Sequence, residues 1–149
     1  MTRVKKKLHI LLVEDDDDHA ELVAFNLEAQ GIIKSLDRAS DGIEALEYMK
    51  HCSKQQNSTM PDLILLDLKL PKMDGLEVLA ELKRDEAYKS IPIVMLSTSD
   101  SEADQATAYQ NYANGYMIKP MDFDIFVEMV RDFSNFWGKW NCQPKHKNE

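Results

Sequence analysis

Four apolar stretches of this chain end on residues able to do chemistry. ILLV ends on Glu14 and Asp15, LILL on Asp67, IVML on Ser97 and Thr98, and GYMI on Lys119. Carboxylates gathered in one place repel one another, and a hard divalent cation removes that repulsion. Mg²⁺ prefers oxygen ligands, needs only one or two direct carboxylates and keeps some of its waters. A cation held this way bridges to an incoming phosphoryl group. Asp67 then suits a nucleophile that forms an acyl phosphate. Lys119 suits a point charge on the phosphoryl oxygens, and the Ser97 hydroxyl a donor to another of them. Each feature alone has a plainer reading. Acids from Glu14 to Asp18 favour a helix N-terminus, Ser97 suits a helix cap, Lys119 a solvated surface, and Asp74-Gly75 an ordinary turn. Together, at the ends of separate strands, they read as one pocket.

Such a pocket needs a parallel sheet, whose ligand sites lie at the carboxyl ends of its strands. The chain alternates accordingly. Strands are read at Leu8 to Val13, Ile32 to Leu36, Leu63 to Leu66, Ile91 to Leu96 and Gly115 to Ile118, the first an apolar run without polar alternation that suits cover on both faces. Between and after them, helical spacing appears at 19–31, with Asp16 or Asp17 as its cap, and at Gly42 to Met49, with Ile43, Leu46 and Met49 on one side. It recurs at Leu76 to Leu82 and Glu102 to Ala113, and at Asp122 to Phe136, where Phe123, Phe126, Val127, Val130 and Phe133 face the sheet. Polar residues 52–61 and the segment Lys69 to Gly75 read as loops. Crossovers of this length favour parallel pairing with helices on both faces, a doubly wound α/β fold.

The bulk properties agree. A chain of 149 residues with 44% hydrophobic content can bury one core. Net charge of -8 argues against general nucleic-acid binding. Cys52 and Cys142 match no metal or redox spacing and read as reduced thiols. The apolar run after the basic start is too short for a signal peptide or a membrane span, which points to the cytoplasm and to no membrane partner. The organisation read from these features is a basic arm over 1–7, one domain over 8–137 and a partly disordered tail over 138–149.

The ordered set ILLVEDD, LILLDLKLPKMDG with Pro71, Asp74 and Gly75, IPIVMLSTS, and GYMIKP resembles response-regulator receiver domains of two-component signalling, over about Lys7 to Phe136. The resemblance implies a flavodoxin-like, five-stranded parallel sheet in the order 2-1-3-4-5 flanked by five helices. It implies that a sensor histidine kinase or phosphotransfer protein donates a phosphoryl group to Asp67. The receiver would catalyse its own phosphorylation and dephosphorylation rather than turn over as an ordinary enzyme. Mg²⁺ would contact Asp15, Asp67 and the backbone carbonyl of Lys69, with Glu14 acting through a bound water. Ser97, Thr98 and Lys119 fall at catalytic positions. Ser97 would also be a switch hydroxyl and Tyr116 a switch aromatic whose ring turns inward on activation. Ser97 stands where many relatives have threonine and keeps the hydroxyl, whereas Thr98 adds bulk where alanine is commonest.

A narrower likeness, through LPKMDGLEVLAELKRDEAYKSIPIVMLSTS and SNFWGKW, is to the stand-alone regulators that serve bacterial and cyanobacterial phytochromes. It implies a phytochrome kinase as partner. It also implies a homodimer through the face of the fourth helix, fifth strand and fifth helix and the C-terminal aromatics. Of Phe133, Phe136, Trp137 and Trp140, some must pack on the core or on each other, and part of the cluster reads as a dimer or kinase-docking patch. Other readings remain open at this level: a pseudo-receiver that only binds proteins, and a phosphate sink or relay intermediate.

Overall fold

The computed structural model describes residues 5–55 and 59–144. Arg3 of the basic arm, loop residues 56–58 and the tail from residue 145 onward lie outside the described residues.

Strand and helix alternate as β1 (Leu8–Val13), α1 (Asp17–Ala29), β2 (Ile33–Ala39), α2 (Gly42–Lys54), β3 (Leu63–Leu66), α3 (Gly75–Arg84), β4 (Ile93–Ser97), α4 (Glu102–Gln110), β5 (Gly115–Ile118) and α5 (Phe123–Asn135). A π-helical turn, Phe136–Trp140, extends α5. The sheet is parallel throughout, in the order β2-β1-β3-β4-β5. The expected doubly wound fold is the observed one.

Every residue of β1, β3 and β4 is buried. These strands carry no polar alternation because helices cover both faces. One face packs Leu11, Val13, Ile64, Leu66, Ile93 and Met95 against α2, α3 and α4. The other packs Ile10, Leu12, Leu65 and Val94 against α1 and α5 through Val23, Leu27, Phe126 and Phe133. The carboxyl ends of β1, β3 and β4 are therefore held by the core on both faces, and Glu14, Asp67 and Ser97 sit on them.

Several boundaries differ from the sequence reading, each for a physical reason. β2 runs to Ala39 rather than Leu36. Asp37 and Arg38 interrupt the apolar run, but an edge strand tolerates charge on its solvent side. α2 continues through Cys52 to Lys54, and its buried face is Ala45, Met49 and Cys52, leaving Ile43 exposed. α4 stops at Gln110 rather than Ala113. Tyr112 adopts φ 69°, and the Ala113 N–H returns to the Ala108 carbonyl at 3.0 Å, closing the helix in a left-handed cap. In α5, Phe126, Val130 and Phe133 are buried as expected, but Phe123 is 58% exposed. Phe123 opens the helix, where no preceding turn covers it.

The segments flanking the sheet also pack. Lys6 N–H donates to the Gly138 carbonyl at 2.6 Å, and Lys5 Nζ to Gln30 at 3.3 Å. Gly138 is buried against Ile32, so Lys5 and Lys6 are tied to the domain rather than forming a free solvated arm. Cys52 is a buried thiol and Cys142 an exposed one. Among the described residues no helix is long and apolar enough to cross a membrane.

Candidate functional site

The strand ends converge as the sequence pattern requires. Glu14 follows β1 and is buried, Asp67 follows β3 and is half-buried, Ser97 ends β4 and is buried, and Lys119 follows β5. The carboxylates of Glu14, Asp15 and Asp67 offer oxygen atoms that all lie within 4.8 Å of one another. Lys119 Nζ pairs with Glu14 Oε1 and lies 3.4 Å from Asp67 Oδ2. The Lys119 and Glu14 side chains are only 8% and 3% exposed, so this pair works with little solvent screening. Burial pushes the Glu14 carboxyl above its ordinary range, and the neighbouring Asp67 charge adds to that, while Lys119 pulls it back.

The donor set fits a hard divalent cation. Three carboxylates with one lysine leave an excess of negative oxygen ligands at the mouth, and the Asp15 carboxylate is exposed there. Asp67 Oδ1 accepts the Leu68 N–H at 2.7 Å, which fixes the carboxylate plane and leaves Oδ2 towards Lys119. The Lys69 side chain is exposed, one residue beyond the buried Leu68.

The loop after β3 is shaped by two tight features. The Met73 N–H reaches the Pro71 carbonyl at 2.7 Å, with Lys72 at φ 66°, a strained three-residue turn. Gly75 then passes under Asp67: its N–H donates to the Leu68 carbonyl at 2.8 Å, and a Cβ there would sit 2.0 Å from the Asp67 carbonyl oxygen. The sequence reading took Asp74-Gly75 as a turn signal and as part of the LPKMDG motif, with no contact assigned to Gly75. The structure makes Gly75 the floor beneath Asp67. Gly75→Ala is expected to cost about 3 kcal/mol, at the upper end of overpacking penalties. It should also displace Asp67. Denaturant unfolding with an unchanged slope reads the first effect, and Mg²⁺ titration the second.

Ser97, Thr98 and Tyr116 separate in role. Ser97 Oγ accepts the Ser99 N–H at 3.2 Å, while Thr98 is exposed. The Tyr116 hydroxyl donates to the Ser99 carbonyl at 2.9 Å, and its ring packs on the core. Ser99 Oγ in turn donates to Asp104 Oδ2 at 2.6 Å in the first turn of α4. Ser99 therefore joins Ser97, Tyr116 and α4, a role that its place in a polar loop gives no hint of. Beside Lys119 a cleft of about 470 Å³ opens, walled by His19, Leu22, Val23, Thr98, Met121 and Phe126. His19 Nδ1 accepts from Lys119 Nζ at 3.4 Å. Arg38, also missed in the sequence, donates from Nε to the Glu14 carbonyl at 3.0 Å and from Nη1 to Asp17 at 2.7 Å.

Comparison with known proteins gives a consistent picture. Residues 10–131 match the model of the response regulator receiver domain. The chain is 40% identical over 135 residues to the probable methanogenesis regulatory protein FilR2 of Methanothrix harundinacea, covering 91% of this chain and 86% of the relative. It is 40% identical over 128 residues to response regulator Rcp1 of Synechocystis, covering 86% and 87%. Its fold superposes on the Mn²⁺-bound form of Rcp1 with a TM-score of 0.85 at 38% identity, covering 93% of this chain and 99% of the other. It superposes on the phosphorylated cyanobacterial phytochrome response regulator RcpA with a TM-score of 0.86 at 37% identity, again covering 93% and 99%. With an acidic pocket at the strand ends and this likeness over most of its length, the chain belongs to the response regulator receiver family, shares its phosphorylation and signalling function, and is closely related to the phytochrome-associated members.

Proposed function

We propose that Asp67 is the phosphoryl acceptor and that the donor is a sensor histidine kinase of the phytochrome class. The observation that carries this reading is the Asp67 carboxylate held between the buried cation of Lys119 and the acids Glu14 and Asp15. An Asp67 oxygen attacks the phosphorus of a phosphohistidine. The new P–O bond forms as the P–N bond breaks, and the leaving imidazole takes a proton from solvent. Lys119 pairs with the phosphoryl oxygens, and Ser97 turns its hydroxyl from the Ser99 amide towards the new charge. Thr98 and the cleft beside Lys119 border the route by which the donor histidine enters.

Mg²⁺, when bound by Asp15, Asp67 and the Lys69 carbonyl with Glu14 acting through water, would neutralise charge on the transferred group. The kinase reading rests on the relatives: RcpA is a cyanobacterial phytochrome response regulator, and two further solved relatives at 37% identity are bacteriophytochrome response regulators. The protein would act in the cytoplasm. Treating the protein with phosphoramidate and Mg²⁺ is expected to add one phosphoryl group, and a chelator to prevent it. Intact mass that stays unchanged with Mg²⁺ shown to bind, and after exposure to phytochrome kinases, would leave the protein-interaction reading in its place.

A signalling switch is favoured over a phosphate sink by the Ser97–Ser99–Tyr116 connection, which links the pocket to α4 and β5. The output surface is the face of α4, β5 and α5. Tyr112, Ile118, Met121, Phe123 and Ile125 are exposed there, and Phe136 and Trp140 extend it. An exposed apolar band of this kind suits a second copy of the chain. A Phe136→Glu, Trp140→Glu variant is expected to elute as a monomer where the parent protein elutes as a dimer. Equal masses by light scattering would remove the C-terminal aromatics from the interface.

A further inference from the structure

The Asp15 carboxylate has no hydrogen-bond partner among the described residues, so its backbone alone fixes its place at the mouth of the pocket. That backbone is gripped from β2. The Glu14 N–H donates to the Ala39 carbonyl at 3.0 Å, and the Glu14 carbonyl accepts from Arg38 Nε at 3.0 Å. Arg38 stands opposite Leu12 in the sheet, two residues short of Glu14. The Glu14 carbonyl faces the same side as its N–H, towards β2, which ends at Ala39, and the guanidinium takes it. The same planar fork reaches Asp17 at 2.7 Å, the first residue of α1. One side chain thus spans the turn from the end of β1 to the start of α1, and Asp15 lies inside that span.

We propose that Arg38 is a positioning residue for the cation pocket: it fixes the Glu14–Asp15 peptide and, through it, the direction of the Asp15 carboxylate. This rests on the reading of the pocket as a cation-binding phosphoacceptor site. Arg38 exerts two influences of opposite sign. Its charge repels a divalent cation, whereas its fork holds a ligand in place. A lysine keeps the charge but lacks the planar fork. A glutamine removes the charge and most of the reach.

The two influences predict different outcomes in a Mn²⁺ titration of the metal-free protein, followed by calorimetry or by the loss of the free-ion paramagnetic signal. If charge alone mattered, Arg38→Gln would bind Mn²⁺ more tightly and Arg38→Lys would match the parent. Positioning predicts that both variants bind more weakly. Arg38→Gln should lose about tenfold, in line with the loss of a partner that orients a metal ligand, and Arg38→Lys should fall between it and the parent. A second readout needs no metal: amide exchange at Asp15 and Asp16 should quicken in both variants while exchange in β3 and β4 stays as it was. Tighter binding by Arg38→Gln, or parent-like binding and exchange in Arg38→Lys, overturns the proposal. Should Arg38→Gln fail to fold, Arg38→Lys decides alone. A parent protein that binds neither Mn²⁺ nor Mg²⁺ overturns the pocket reading itself, and this inference with it. A parent that binds while Arg38→Lys is indistinguishable from it overturns the inference only.

Discussion

Asp67→Asn is expected to abolish phosphoryl uptake while leaving the fold intact. The parent protein should gain one group of about 80 Da on treatment with phosphoramidate and Mg²⁺, and the variant none. Asparagine has nearly the same shape, and its carbonyl oxygen can still accept the Leu68 N–H that Asp67 Oδ1 accepts at 2.7 Å. What it lacks is the nucleophilic carboxylate, and no neighbouring group replaces it. Glu14 is committed to Lys119 and to the Asp16 N–H at 3.2 Å, and Asp15 leads into α1 rather than ending a strand opposite Lys119. The substitution also removes one of two carboxylates that repel each other in a nearly closed space, so the metal-free variant should be at least as stable as the parent. Loss of uptake with an unchanged or raised unfolding midpoint separates a missing nucleophile from a damaged fold. A variant that still takes the phosphoryl group would place the acceptor elsewhere.

The sequence made the sheet and the pocket legible for one reason. A parallel strand buried on both faces is an uninterrupted apolar run, and the residue that ends such a run stands at the edge where ligands bind. β1 and β3 were read to the residue on this basis, and Glu14, Asp15 and Asp67 follow from their ends, while Ser97 ends the buried β4 and Lys119 follows β5, a short half-buried strand read from the run GYMI. The edge strand β2 escaped at its far end because Asp37 and Arg38 look like loop residues when only hydrophobicity is read. That hid Arg38 from the site. The end of α4 escaped because its cap is a tyrosine at φ 69° where glycine is the usual signal. Gly75 was visible as a turn residue, yet its close approach to the Asp67 carbonyl is a contact across the loop that spacing does not encode. Ser99 was hidden for the same reason: three of its partners lie on β4, β5 and α4. What periodicity reports is burial. It does not report which buried or half-buried polar groups find one another.

Lys119→Met should damage the pocket through two separable effects. The lysine is buried between Glu14 and Asp67, so its removal leaves two carboxylates facing each other with no counter-charge. Breaking a buried pair from one side costs about 3 kcal/mol or more, and denaturant unfolding of the metal-free variant should show a loss of that order. The loss should depend on pH with a defined sign. Burial already raises the Glu14 carboxyl above its unfolded value, and without Lys119 it rises further. A carboxyl raised in the folded state destabilises the fold at pH values above its folded pKa and ceases to do so as pH falls to the unfolded value. The gap between variant and parent should therefore be widest near neutrality and narrow on acidification. Mg²⁺ should narrow it as well, because a cation takes over part of the lysine's charge. The second effect is on the reaction. Losing a cation aimed at the transferred group should slow phosphoryl uptake by about a hundredfold, and saturating Mg²⁺ should not restore it. Rescue of stability by Mg²⁺ without rescue of the rate would show that Lys119 acts on the phosphoryl group itself. Rescue of both would reduce the lysine to a structural counter-charge for Glu14 and Asp67.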